Sequence, residues 1–314
     1  MGSPLQKLFL APRIPSNAAG FIDTDFVVVD LKRAGSSMTL AASAFTEIPE
    51  GLVTPSLDSQ NIHDADQLAN LIIQTAEAAG LRDKKRWSVT LPEGAARTVL
   101  INLDSKPSSS RELDEMIAWK LDRSFGMSTS SSRLSRKKLS PIKGQQRYLV
   151  AACPEAVISE YENLFRSIGW QVGLILAKHL GEAEWLLSDK TPGDKMLVSA
   201  NLTGFTSIIT RKGEPVLVRV EECEQDSIPD ELYRIALFYK DRIADQNPEA
   251  KTITRVLVIG GIDRAQVIHS VTEALGEAPE LIESRQLGLD LTGDGVSFDQ
   301  LAAAAGLAAI ALHG

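Results

Sequence analysis

The stretch Val27–Leu40, VVVDLKRAGSSMTL, runs from apolar residues into Asp30, steps through Lys32 and Arg33, crosses a Gly-Ser-Ser tract and becomes apolar again. β-branched and apolar segments on either side of glycine and serine spell two strands joined by a turn. A loop that cradles phosphate has a similar outline, since glycine lets backbone amides approach phosphate oxygens. Here Lys32 stands where such a loop places glycine, and Gly35-Ser36-Ser37 falls at the turn of a simple hairpin. The stretch therefore reads either as a nucleotide loop or as a structural hairpin descended from one.

Working outward, FVVVDLKR and SSMTLAASAF form the hairpin. DADQLANLIIQTAEAAGL (64–81) sets Leu68, Leu71, Ile72 and Ala79 on one helical face, and WSVTLPEG is a strand stopped by Pro92 and Gly94. The pattern then returns. MLVSANL and TSIITRKGEPVLVRVEE make a hairpin region with a turn at Gly213. PDELYRIALFYKDRI is a helix with Leu232, Ile235, Ala236 and Tyr239 in register, and ITRVLVIGGI is a strand ending on Gly260 and Gly261. Asp30 and Leu91 lie 61 residues apart, as do Ala200 and Gly261. The spacing predicts two related α/β lobes facing each other across a cleft.

Residues 95 to 176 interrupt the repeat. They read strand (98–103), helix (111–125), strand (133–139), strand (147–153), helix (154–169), strand (171–177), with serine-rich loops around the first helix. Ser109 and Glu112 have the spacing of a capping box, and Pro154 suits a first helical turn. The order βα-ββαβ predicts an inserted ferredoxin-like subdomain. The expected division is an N-terminal extension (1–20), a first lobe (21–94), the insert (95–176), a return to the first lobe (177–195), a second lobe (196–296) and a closing helix (297–314).

Composition narrows the function classes. The 314 residues, 44% hydrophobic and 24% charged, suit a folded chain of at least two lobes, and a net charge of -8 argues against a nucleic-acid partner. Two distant cysteines fit a reducing compartment. The opening MGSPLQKLFLAPRIPS lacks the pattern of a signal peptide, and LAAAAGLAAIAL (301–312) is short of the about 20 residues a membrane span needs. The expectation is a cytoplasmic chain with no direct membrane insertion. The four histidines are scattered without metal-ligand spacing, and no G-x-S-x-G elbow is present, so metal and covalent catalysis have no candidate residues.

Taken in order, VTLPEGAARTVLINL, SSRELDEMIAWKLDRSF, the segment from QQRYLVAACPEAV through GWQVGLILAKHLGEAEWLL, VLVIGGIDR and DQLAAAAGLAAIAL resemble the type IV pilus assembly protein PilM family, which is actin-like and FtsA-related. The resemblance implies actin-like (ribonuclease H-like) duplicated lobes with an α/β insert in the first half. It also implies ATP and Mg²⁺ held by two Asp-x-Gly-Ser/Thr hairpins. On that template the nucleotide-binding candidates, vestigial or retained, are Asp30, Lys32, Gly35, Ser36, Gly260 and Gly261. Lys32 replaces the first glycine, and VSANLTGFTS carries no acidic residue, so the expectation is a scaffold that requires no cofactor and catalyses no hydrolysis.

The partner the resemblance implies is the cytoplasmic tail of a membrane-spanning PilN-like protein at the inner membrane. That tail would lie against residues 26–45 and 95–176, with self-association also open. The alternatives are an actin-like ATPase acting as a nucleotide-controlled switch, and the same scaffold serving another envelope machine.

Overall fold

The computed structural model describes residues 14–35, 37–125, 129–244, 252–291 and 296–313. In chain order the first lobe begins with β1 (Asn17–Ile22), β2 (Asp25–Ala34), β3 (Ser37–Glu47), α1 (Ala65–Ala78) and β4 (Arg86–Leu91). The insert follows as β5 (Arg97–Leu103), α2 (Ser110–Phe125), β6 (Ser132–Ile142) and β7 (Gln145–Pro154). After it come α3 (Glu155–Ser167), β8 (Gln171–Ala177) and α4 (Lys178–Ser188). The second half runs β9 (Asp194–Asn201), β10 (Gly204–Arg211), β11 (Glu214–Glu222), α5 (Ile228–Tyr239), β12 (Ile253–Ile259), α6 (Arg264–Leu275), β13 (Glu280–Leu281), β14 (Leu289–Asp290) and α7 (Phe298–His313).

The two large sheets share one plan. Their orders are β14-β3-β2-β1-β4-β8 and β11-β10-β9-β12-β13. In each, three strands form an antiparallel meander and a helical crossover brings the next strand parallel to the first: β4 beside β1, β12 beside β9. This is the duplicated actin-like architecture. The helix signals act as physical chemistry requires. Asp64 accepts a 2.9 Å hydrogen bond from the Gln67 amide at the start of α1, and Asp263 caps α6 through the Ala265 amide. Ser109 likewise accepts from the Glu112 amide, but the Glu112 carboxylate reaches back to the Ser108 amide, one residue before the expected box partner.

Three boundaries differ from the sequence reading. First, β1 lies in the segment expected to be mostly an N-terminal extension, yet it is a central strand, buried along its whole length. Its sequence, NAAGFI, is poor in β-formers. Small residues are needed there because α7 packs directly over it: a Cβ on Gly20 would sit 3.4 Å from Ala304 Cβ and 2.7 Å from Thr90 Oγ1.

Second, with β1 recognised, the counterpart of β9 is β1 and not β2. The equal 61-residue spacing paired unlike strands; the true strand ends, Ile22 and Leu91 against Asn201 and Ile259, are 69 and 58 residues apart.

Third, the insert's own sheet is β5-β7-β6, over a small core of Val99, Ile101, Leu103, Ile117, Leu121, Tyr148 and Val150. The helix and strand expected to complete it belong to the first lobe. α3 buries Val157, Tyr161, Leu164 and Phe165 in that lobe's core, and β8 pairs parallel with β4. Hydrophobic periodicity marks a strand but does not say which sheet receives it.

Between the sheets lie α4 and α7. Their core draws Val27, Val29 and Leu31 from one lobe and Leu197, Ile208, Leu257 and Ile259 from the other. Every residue of α7 from Leu301 to Ala309 is buried, which is the environment a helix apolar all round requires. Trp185 on α4 donates its indole N–H to the Ala302 carbonyl at 2.8 Å. Gly181 and Gly306 let the two backbones meet, since a Cβ on Gly306 would lie 1.9 Å from the Gly181 oxygen. Among the described residues no helix is long and apolar enough to cross a membrane.

Candidate functional site between the lobes

The carboxyl ends of β1, β4, β8, β9 and β12 converge where the lobes meet, the position at which open α/β sheets place ligands. The β1–β2 turn supplies Asp23, held at φ 48°. The turn after β4 supplies Glu93, between Pro92 and Gly94. The first turns of α4 supply Lys178, His179 and Glu182, each no more than 1% exposed. From the second lobe come Ser199 on β9, Thr206 on β10 and Leu202 in the β9–β10 turn.

These groups join the lobes. Lys178 Nζ donates to Ser199 Oγ at 2.9 Å and lies 3.0 Å from Glu182 Oε1. His179 Nδ1 sits 3.0 Å from Glu93 Oε2, and Thr206 donates to Glu93 Oε1 at 3.1 Å. Asp23, exposed in the first-lobe turn, lies where the charge of Lys178 and the backbone N–H of Leu202 both act on its carboxyl. The two hairpin turns thus face each other across the interlobe space, and buried charge fills the ground beneath them.

The electrostatics follow from burial and pairing. Burial pushes the Asp23 carboxyl up, and Lys178 and the Leu202 amide only partly counter it. Burial acts on Glu93 in the same sense, but His179, Lys178 and Thr206 together outweigh it and hold that carboxyl below the usual range. For Lys178 burial opposes the charge, yet Glu182, Asp23 and Glu93 keep its pKa above the ordinary value. The carboxylates also offset the positive end of the α4 dipole, which by itself disfavours a lysine in the first turn. Neither Glu182 oxygen nor His179 Nε2 has a well-aligned hydrogen-bond partner among the described residues.

The residues singled out from the sequence are not brought together. Asp30 is buried on β2 with Lys84 Nζ 3.7 Å away, Lys32 is exposed on the same strand, and Gly35 forms the β2–β3 turn at φ 64°. Ser36 lies outside the described residues. β2 starts beside Asp23 and runs ten residues away from it, about 30 Å at the usual rise. Gly260 and Gly261 follow β12 at the Asp23 end, far from that turn. Gly260 (φ 99°) packs on the second hairpin, where a Cβ would meet the Ala200 oxygen at 2.6 Å, while Gly261 faces open space.

The hairpin whose turn reaches the interlobe site is therefore β1–β2, with Asp23-Thr24 at its turn, and the β2–β3 hairpin that the sequence brought forward is its neighbour. Asp23, Glu93, Lys178, His179 and Glu182 were missed. The available signals were an acid between Pro92 and Gly94 at a strand end, and a Lys-His pair opening a helix directly after a strand.

No protein-family model matches the chain, and no curated protein matches it. Among solved structures, a PilM-PilN type IV pilus biogenesis complex matches with a TM-score of 0.75 at 16% identity, covering 96% of this chain and 99% of that one. A Bacteroides thetaiotaomicron protein of actin-like ATPase fold and unknown function matches with a TM-score of 0.52 at 10% identity, covering 94% and 96% of the two chains. Both likenesses establish the actin-like fold.

Proposed function

We propose that the chain is a non-catalytic actin-like scaffold that holds the cytoplasmic tail of a PilN-like membrane protein in a type IV pilus or related envelope machine. The observation that carries the absence of catalysis is the buried cluster between the lobes. Lys178, held by Ser199 and Glu182, and Glu93, held by His179 and Thr206, satisfy one another across the ground where an open site would offer donors to a phosphate. The partner class is supported by the near-complete overlap with the chain of the PilM-PilN complex.

The docking region is built from residues 26–45 and the insert. Both carry exposed apolar side chains: Phe45 on β3, Leu134 on β6 and Trp119 on α2, the last 56% exposed beside a cavity of about 340 Å³ lined also by Met116 and Lys120. An extended tail with apolar anchors suits such pockets. Docking places the chain at the inner membrane through its partner.

Calorimetric titration of a tail peptide into the chain, with and without Mg·ATP, tests the proposal. Binding in both conditions with equal affinity is expected. Binding only with ATP favours the nucleotide-switch reading, and no binding in either condition removes the docking role. A thermal scan gives a second check: a ligand at 100 times its Kd adds about 2.7 kcal/mol, whereas Mg·ATP is expected to leave the midpoint unmoved.

A further inference from the structure

A second cavity, of about 640 Å³, opens between the insert and the far end of the second lobe. Its walls are the β6–β7 hairpin, the loop from α4 to β9 and the β10–β11 turn. This volume is in the range of small-molecule sites. It lies away from the interlobe carboxylates and shares no residue with them.

Most charges in its walls are mutually engaged. Asp194 is held by Arg211 at 2.6 Å and by the Tyr239 hydroxyl, and Asp189 by Arg255 at 2.6 Å and Lys195 at 3.2 Å. The Glu214 carboxylate accepts from the Ser140 amide at 2.8 Å and the Ser140 hydroxyl at 3.1 Å. Among the buried charges there, Arg147 is the exception. It is only 5% exposed and lines the cavity, yet its hydrogen bonds go to two carbonyls, those of Ser140 at 3.3 Å and Pro215 at 2.5 Å.

No carboxylate among the described residues lies within ion-pair distance of Arg147. Burial lowers its pKa, Glu214 counters that in part, and the neighbouring Arg211 adds to the lowering. A buried guanidinium without a counter-ion is costly, and its planar fork suits an oxyanion. Lys190 and Lys212 add positive charge to the lining. Leu187, Pro192 and Val216 give the lining an apolar patch, alongside the hydroxyl-bearing Thr191 and Thr210.

We infer that this cavity binds a small organic phosphate, its phosphoryl oxygens on Arg147 with Lys190 near them and its apolar body against Leu187 and Val216. The site bridges the insert and the second lobe, so an occupied cavity ties the docking module to the rest of the chain.

The test is calorimetry of the full chain with phenyl phosphate, and with inorganic phosphate and benzyl alcohol as separate arms that carry the charge and the ring alone. Saturable binding of phenyl phosphate is expected, at least tenfold tighter than either fragment. Arg147→Met should weaken it at least tenfold and Arg147→Lys less. Because Arg147 also braces the insert, Lys190→Glu at the exposed mouth serves as the variant that leaves packing intact, and it should weaken binding several-fold. No saturable binding at millimolar phenyl phosphate, or affinity unchanged in Lys190→Glu and in any folded Arg147 variant, overturns the inference. So does binding of inorganic phosphate as tight as that of phenyl phosphate.

Discussion

Lys178, at the start of α4, donates to Ser199 Oγ on β9 at 2.9 Å. The bond ties the first lobe to a central strand of the second, beneath the two turns that the duplicated topology makes equivalent. Asp23, in the first of those turns, is close enough for the Lys178 charge to act on its carboxyl.

Asp23→Asn should therefore raise stability at neutral pH. Burial raises the folded pKa of Asp23, so its favourable contribution is present when the group is protonated and is lost as pH rises through the folded value. Asparagine keeps a polar side chain of the same shape without the charge. Urea denaturation at pH 7 should show a higher midpoint for Asp23→Asn and a lower one for Asp23→Ala. A lower midpoint for both would contradict the electrostatic account.

Glu93 acts in the opposite sense. Its folded pKa is lowered, so it contributes stability above the unfolded value, and that contribution is lost as pH falls through the folded value. Glu93→Gln should lower stability at pH 7 and flatten the loss of stability below about pH 4.5. Thermal midpoints from pH 3 to 7 for the two proteins check this; parallel curves would refute it.

Gly306→Ala should destabilise by about 3 kcal/mol, the upper range for overpacking. The new Cβ would meet the Gly181 oxygen at 1.9 Å, and that atom is backbone and cannot rotate away. Gly276→Ala, at the end of α6, meets nothing within 4 Å; it bears only the strain of its left-handed conformation and should lose less. Equilibrium denaturation of the two variants measures the difference, and equal losses would remove the close crossing of α4 and α7 as the cause.

Trp119→Ala should leave stability nearly unchanged, because the ring is 56% exposed, with the Arg123 guanidinium over its face. If the tail docks on the insert, the same variant should bind the peptide about tenfold more weakly, some 1.4 kcal/mol. Unchanged affinity would move the docking surface elsewhere, to the faces carrying Phe45 or Leu134.

The sequence by itself determined most of the elements and the fact of a duplication. The face of Leu68, Leu71 and Ile72, the Ser109 cap and the wholly apolar Leu301–Ala309 run each report a local preference, readable wherever the segment ends up. Tertiary structure alone decided which strands share a sheet and which residues meet. β1 is a strand because β2 and β4 flank it, and α7 and Thr90 leave no room for a side chain at Gly20, a reason located elsewhere in the chain. The interlobe cluster is non-local in the same way: Asp23, Glu93, Lys178 and Thr206 come from four segments, and the partners each meets outweigh burial for Glu93 and Lys178. Periodicity registers how a segment repeats along itself, whereas a buried ion pair depends on the distance between segments, which only the packed fold sets.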